Sequence, residues 1–139
     1  MSNETEKLTI NLGVVELAQI DVLVEQGTYS NRSDFIRTAI RKSLEVHREK
    51  IERQLTPIAS KKIWEKVIGI WKADRALLEE WADESDEKLN LSVIGMIIFD
   101  KDVTVELLEK TVAKIALRGK IVASDEIKEA VKKINKSRL

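Results

Sequence analysis

The chain has no cysteine and one histidine, His47. Disulfides and thiolate metal sites are therefore excluded, and a zinc or nickel site would need carboxylates for nearly all its ligands. No metal or cofactor is expected. No net charge is present either: 24 Lys and Arg balance 24 Asp and Glu. A basic excess is the usual footprint of a nucleic-acid binder. Here such a role must rest on where particular groups point. No apolar run approaches the roughly 18 residues of a membrane span, and the polar, acidic "MSNETEK" start does not read as a signal peptide. A cytoplasmic protein without membrane contact is the expectation. The single proline, Pro57, marks one strong boundary.

What is present begins with "KLTINLG". Leu8, Ile10 and Leu12 alternate with Lys7, Thr9 and Asn11, the signature of a short strand with one apolar and one hydrogen-bonding face. A lone strand leaves its backbone groups unpaired. The following "VVELAQIDVLVEQG" places Val14, Leu17, Ile20 and Val24 at helical spacing and ends at Gly27, which suits a helix-closing left-handed residue. "NRSDFIRTAIRKSLEVHREKIERQL" reads as one long second helix. Asn31 and Asp34 form a capping-box-like start, and Phe35, Ile36, Ala39, Ile40 and Leu44 form the apolar stripe. A third helix is expected from Pro57 to about Ala82. It would carry Trp64, Trp71 and Trp81, read as packing residues rather than a base-stacking platform.

Residues 1–53 resemble the ribbon-helix-helix DNA-binding domain of CopG/MetJ/Arc-type repressors. The resemblance covers roughly the first 45–50 residues and lies mainly in Ile20 to Arg41, "IDVLVEQGTYSNRSDFIRTAIR". It implies a homodimer in which Lys7–Gly13 pairs antiparallel with its twin as an intermolecular two-stranded ribbon. Leu8, Ile10, Leu12, Leu17, Ile20, Phe35, Ile36 and Ile40 would form the dimer core. Lys7, Thr9 and Asn11 would contact bases in the major groove of double-stranded operator DNA. Arg32 and Ser33, at the start of the second helix, would hold a backbone phosphate. The chemistry agrees: lysine donates to guanine, asparagine pairs with adenine, and a helix N-terminus favours phosphate. Arg37 reads as a salt-bridge partner of Asp21.

The expected organisation is mostly α with a short N-terminal strand. A ribbon-helix-helix domain at 1–53 is followed by a helical connector at 54–88 and a small β-α-β-α region at 89–139. In that region "KLNLSVIGMIIFD" and "VAKIALRGKIVA" read as strands, with a bulge or face switch near Val93–Ile94. "VTVELLEKT", capped by Thr104, and "SDEIKEAVKKINK" read as helices. No internal repeat is apparent. Asp100 and Asp102 read as turn residues, Gly95 and Gly119 form no phosphate loop, and no nucleophile–base–orienter set appears, so no enzyme is expected. The C-terminal region is expected to oligomerise the dimer, as far as a tetramer, or to sense an effector. The alternative from another class is an antitoxin that neutralises a toxin through this region.

Overall fold

The computed structural model describes residues 5–55 and 64–136. The chain divides into two compact units, Met1–Arg48 and Glu49–Leu139.

In the first unit, residues 5–13 carry neither helix nor ladder bonds, and the first regular element is helix α1, Val14–Glu25. The expected strand and antiparallel ribbon are thus not formed in the single chain. A strand is defined by its pairing, and no strand of this unit is present to pair with among the described residues. Glu16 caps α1 by accepting the Gly13 N–H at 3.3 Å. At the other end Gly27, with φ 77°, closes a Schellman turn: its N–H bonds the Val24 carbonyl and the Thr28 N–H bonds the Leu23 carbonyl, each at 3.0 Å. Helix α2, Arg32–Val46, starts at Asn31, whose side chain accepts from the Asp34 N–H at 2.8 Å. Asp34 returns a bond to Ser30, at 3.0 Å, instead of to Asn31. The long second helix does not run through. It breaks at His47, and a short α3 follows at Arg48–Arg53, all but its first residue belonging to the second unit. Beyond His47 the apolar stripe thins to Ile51 and Leu55, so little packing holds the helix continuous.

The second unit is a three-stranded parallel sheet in the order β1-β2-β3. Its elements are β1 (Trp64–Ala73), α4 (Arg75–Glu84), β2 (Leu89–Phe99), α5 (Val105–Thr111), β3 (Val112–Val122) and α6 (Asp125–Lys136). The expected third helix is corrected here. Residues 56–63 lie outside the described residues, and from Trp64 to Ala73 the chain is a strand, not a helical connector. Val67, Trp71 and Ala73 face the core while Ile68 and Ile70 lie on the opposite face. Apolar residues on both faces hide the period-two signal, as parallel strands commonly do. Helix remains only after Asp74, whose carboxylate accepts the Leu77 N–H at 2.9 Å. The β-α-β-α order of 89–139 is present, completed by β1. Thr104 caps α5 through the Leu107 N–H, and Ser124 caps α6 through the Ile127 N–H.

Helices α4, α5 and α6 cover one sheet face. Leu78, Leu108, Ile127 and Ala130 meet Leu91, Val93, Ile97 and Ile115 in one core. Trp71 packs edge-on against Phe99 at 5.8 Å between ring centroids. Asp100 and Asp102 do lie in a turn, closed by the Val103 N–H on the Asp100 carbonyl at 3.1 Å, and Asp102 also accepts the Arg75 N–H at 3.1 Å. The irregularity expected near Val93–Ile94 lies instead at Leu89/Asn90, where the β2–β3 register shifts.

The three strands align Gly69, Gly95 and Gly119 in one row, with φ of 133°, 137° and 137°. A Cβ on Gly95 would collide with the Gly69 carbonyl, and one on Gly119 with the Gly95 carbonyl. Each glycine is followed five residues later by a polar residue at the strand's end: Asp74, Asp100 and Ser124. The unit is therefore a β-α module repeated three times, contrary to the expectation of no repeat. The flanking residues differ ("IGIWKAD", "IGMIIFD", "RGKIVAS"), so only register exposes it.

Candidate nucleic-acid interface

Lys7, Thr9 and Asn11 are all exposed, and so are the apolar residues between them. Leu8 is 80%, Ile10 52% and Leu12 39% accessible. Of the other expected core positions, Ile20 is buried, Leu17, Phe35 and Ile36 are half-buried, and Ile40 is exposed. Tyr29 stacks edge-on against Phe35 at 5.0 Å, which ties the turn to the second helix. Leu44 and Val46 continue the exposed apolar series along α2. Among the described residues of this unit, the two helices leave the apolar face of Leu8, Ile10 and Leu12 exposed.

Arg32 and Ser33 are the first two residues of α2, so their N–H groups have no intrahelical acceptor. Arg32 also grips Asp21 of α1 with two bonds, Nε to Oδ1 at 2.7 Å and Nη2 to Oδ2 at 2.8 Å. The sequence reading gave Asp21 to Arg37; the structure gives it to Arg32. The Gly27 turn folds α2 back so that residues 11 positions apart meet. That meeting depends on the angle between two helices, for which spacing alone carries no signal. The Arg32 guanidinium, by hydrogen bonding first and charge second, holds the Asp21 carboxyl below its ordinary range, and Asp21 raises Arg32 in return. Both side chains are open to solvent, so the pair orients Arg32 more than it stabilises the fold. The pair is neutral as a whole, since the carboxylate takes two of the guanidinium donors; what remains suited to a phosphate is the pair of helix-start N–H groups of Arg32 and Ser33. Arg37, Arg41 and His47 are exposed.

A profile described as the Ribbon-Helix-Helix transcriptional regulator family matches residues 3–128. The chain belongs to the ribbon-helix-helix transcriptional regulator family. The match runs through the C-terminal sheet as well, so the resemblance is not confined to the first 50 residues. An uncharacterized protein of Methanocaldococcus jannaschii is 34% identical over 87 residues, 60% of this chain and 87% of that protein. No solved structure matches significantly. Membership makes this ribbon-helix-helix protein a DNA-binding regulator that dimerises. No helix among the described residues is long and apolar enough to cross a membrane.

Proposed function

We propose that this ribbon-helix-helix protein is a sequence-specific transcriptional repressor of the cytoplasm that reads the major groove with a dimeric β-ribbon. Residues Lys7–Gly13 of two copies pair antiparallel. Leu8, Ile10 and Leu12 turn inward onto α1 and α2 of both copies, joining Leu17, Ile20, Phe35, Ile36 and Ile40. Lys7, Thr9 and Asn11 then form an outward row that matches the donors and acceptors of base edges. Arg32 and Ser33 set the register by holding a phosphate.

One observation carries the reading: Leu8, Ile10 and Leu12 are exposed in the single chain while alternating with three polar residues. A wet edge strand would not need three large apolar side chains on its other face. The folded C-terminal module, in place of a short tail, favours regulation over toxin capture. Selection of bound sequences from random DNA tests the proposal. It should return a palindromic or tandem site, with affinity that falls steeply as salt rises. Replacing Lys7, Thr9 and Asn11 together by alanine should abolish selection while leaving the dimer intact. Unchanged selection by that variant would sink the ribbon reading.

A further inference from the structure

The zero net charge conceals a separation by position in the fold. Residues 74–87, α4 and the turn after it, carry seven acidic side chains and one basic one. Residues 112–136, β3 and α6, carry seven basic and three acidic. Within α6 the signs lie on different sides. Asp125, Glu126 and Glu129 line the groove facing α5, together with Lys133 and with Glu109 of α5. The other side is located by Asn135, whose Oδ1 accepts the Ile115 N–H at 3.1 Å. Strand N–H groups lie in the plane of the sheet, so this one, bonded to a helix rather than to β2, points off the free edge of β3. Lys128, Lys132 and Lys136, four residues apart, form one stripe beside Asn135, rising about 6 Å from each to the next. Lys132 and Lys136 are exposed and Lys128 is half-buried. Lys132 also meets Glu129 at 3.2 Å, in a solvent-exposed pair of small worth. Lys114 and Arg118 are exposed on β3 itself, Lys114 adjoining the bonded Ile115.

We propose that this ridge, Lys114, Arg118, Lys128, Lys132 and Lys136, is a second DNA-binding surface, one that holds backbone phosphates of duplex DNA without reading bases. The inference rests on the chain's DNA binding, and not on which residues of the ribbon read bases. The need for it arises in the N-terminal unit. Sequence-independent affinity comes from cations that displace counterions at phosphates. Residues 1–53 hold eight basic and nine acidic side chains, so that segment has no excess to attract a polyanion at long range. The ridge supplies the charge on a folded support, a helix pinned to its strand by the Asn135 bond. Lysine is a compact charge on a flexible stem, suited to a row of phosphates rather than to the fixed pattern of a base edge. A merely solvated helix face alternates its signs, whereas the acids of α6 line the α5 groove and leave the lysine stripe on the other side. The acidic α4 segment of a second copy is the competing occupant. The duplex that this family binds carries denser charge, one per about 1.7 Å of its axis.

Fluorescence anisotropy of the full-length chain on a labelled duplex of arbitrary sequence, repeated across a salt series, tests the ridge. The combined variant Lys128→Gln, Lys132→Gln, Lys136→Gln should flatten the plot of log affinity against log salt. The slope should drop by about one for each lysine that loses a phosphate. Adding Lys114→Gln and Arg118→Gln should flatten it further, while the bases preferred in selection from random DNA stay the same. A control, Lys88→Gln, Lys101→Gln, Lys110→Gln, removes the same charge elsewhere in the module and should keep the parent slope. Circular dichroism should match the parent in all three. A parent-like slope in the ridge variants would overturn this inference and leave the ribbon reading standing. Equal flattening in the control would also overturn it, because net charge rather than a local contact would then be responsible. An unchanged slope with a smaller mass by light scattering would give the ridge to a second copy instead of DNA. A parent chain that binds no duplex at any salt would overturn the proposed function and the ridge together.

Discussion

In the proposed ribbon, specificity rests on only Lys7, Thr9 and Asn11 of each chain, in a domain with no basic excess. Each occupies every second position, so all three share one face if the segment is a strand. Asn11→Ala and Thr9→Ala should each lose roughly 1–3 kcal/mol of specific affinity while non-specific binding stays level, measured by titration against the selected site at fixed salt. Arg32 works differently, through its bidentate hold on Asp21. Because the Asp21 carboxyl is held below its ordinary value of 3.8, its contribution to stability is full above that value. It fades as pH falls through the lowered one. Asp21→Asn should therefore lower the thermal midpoint slightly at neutral pH, and the gap to the parent chain should close in acid. A constant gap across that range would show that the carboxylate charge contributes nothing.

At the scale of elements, caps and closures behaved as local chemistry dictates, and sheet membership did not. Asn31, Asp74, Thr104 and Ser124 each accept a helix-start N–H, and Gly27 closes α1. Asn31, Thr104, Ser124 and Gly27 are legible because each acts on backbone within four residues of itself, whereas Asp74 fell inside the expected third helix. Strand β1 was illegible because Ile68 and Ile70 make its outer face as apolar as its inner one, so a short apolar run fits strand or helix equally. The glycine row was illegible for another reason. Gly69, Gly95 and Gly119 are neighbours only after three strands align in register. Gly95→Ala should be severely destabilising, by more than about 2 kcal/mol, from its left-handed backbone and the collision with the Gly69 carbonyl. Gly69→Ala has open space for its Cβ and should cost less; chemical denaturation of the two variants compares them directly.

For the whole molecule, the two units differ in how complete they are alone. The C-terminal module buries Leu78, Leu91, Ile97, Leu108 and Ile127 almost fully, and Leu108→Ala should cost about 2–5 kcal/mol. Among described residues of the N-terminal unit only Ile20 is buried, and the proposed ribbon dimer would complete its core. Its unfolding should shift to higher temperature as protein concentration rises. The signal of Trp71 and Trp81 follows the C-terminal module, while Tyr29, in the other unit, offers a separate probe. A midpoint independent of concentration in the Tyr29 signal would contradict obligatory dimerisation.

The sequence by itself determined the helix starts at Asn31, Thr104 and Ser124, the turn at Gly27, the family, and the alternation that makes Lys7, Thr9 and Asn11 candidates for base readout. All of these are recorded within a few residues along the chain. Only the tertiary structure decided the Arg32–Asp21 pair, the strand at Trp64–Ala73, and the three-fold β-α module with its glycine row. Each of those depends on segments distant in sequence meeting at a particular angle or register, and that information lies in packing rather than in local pattern.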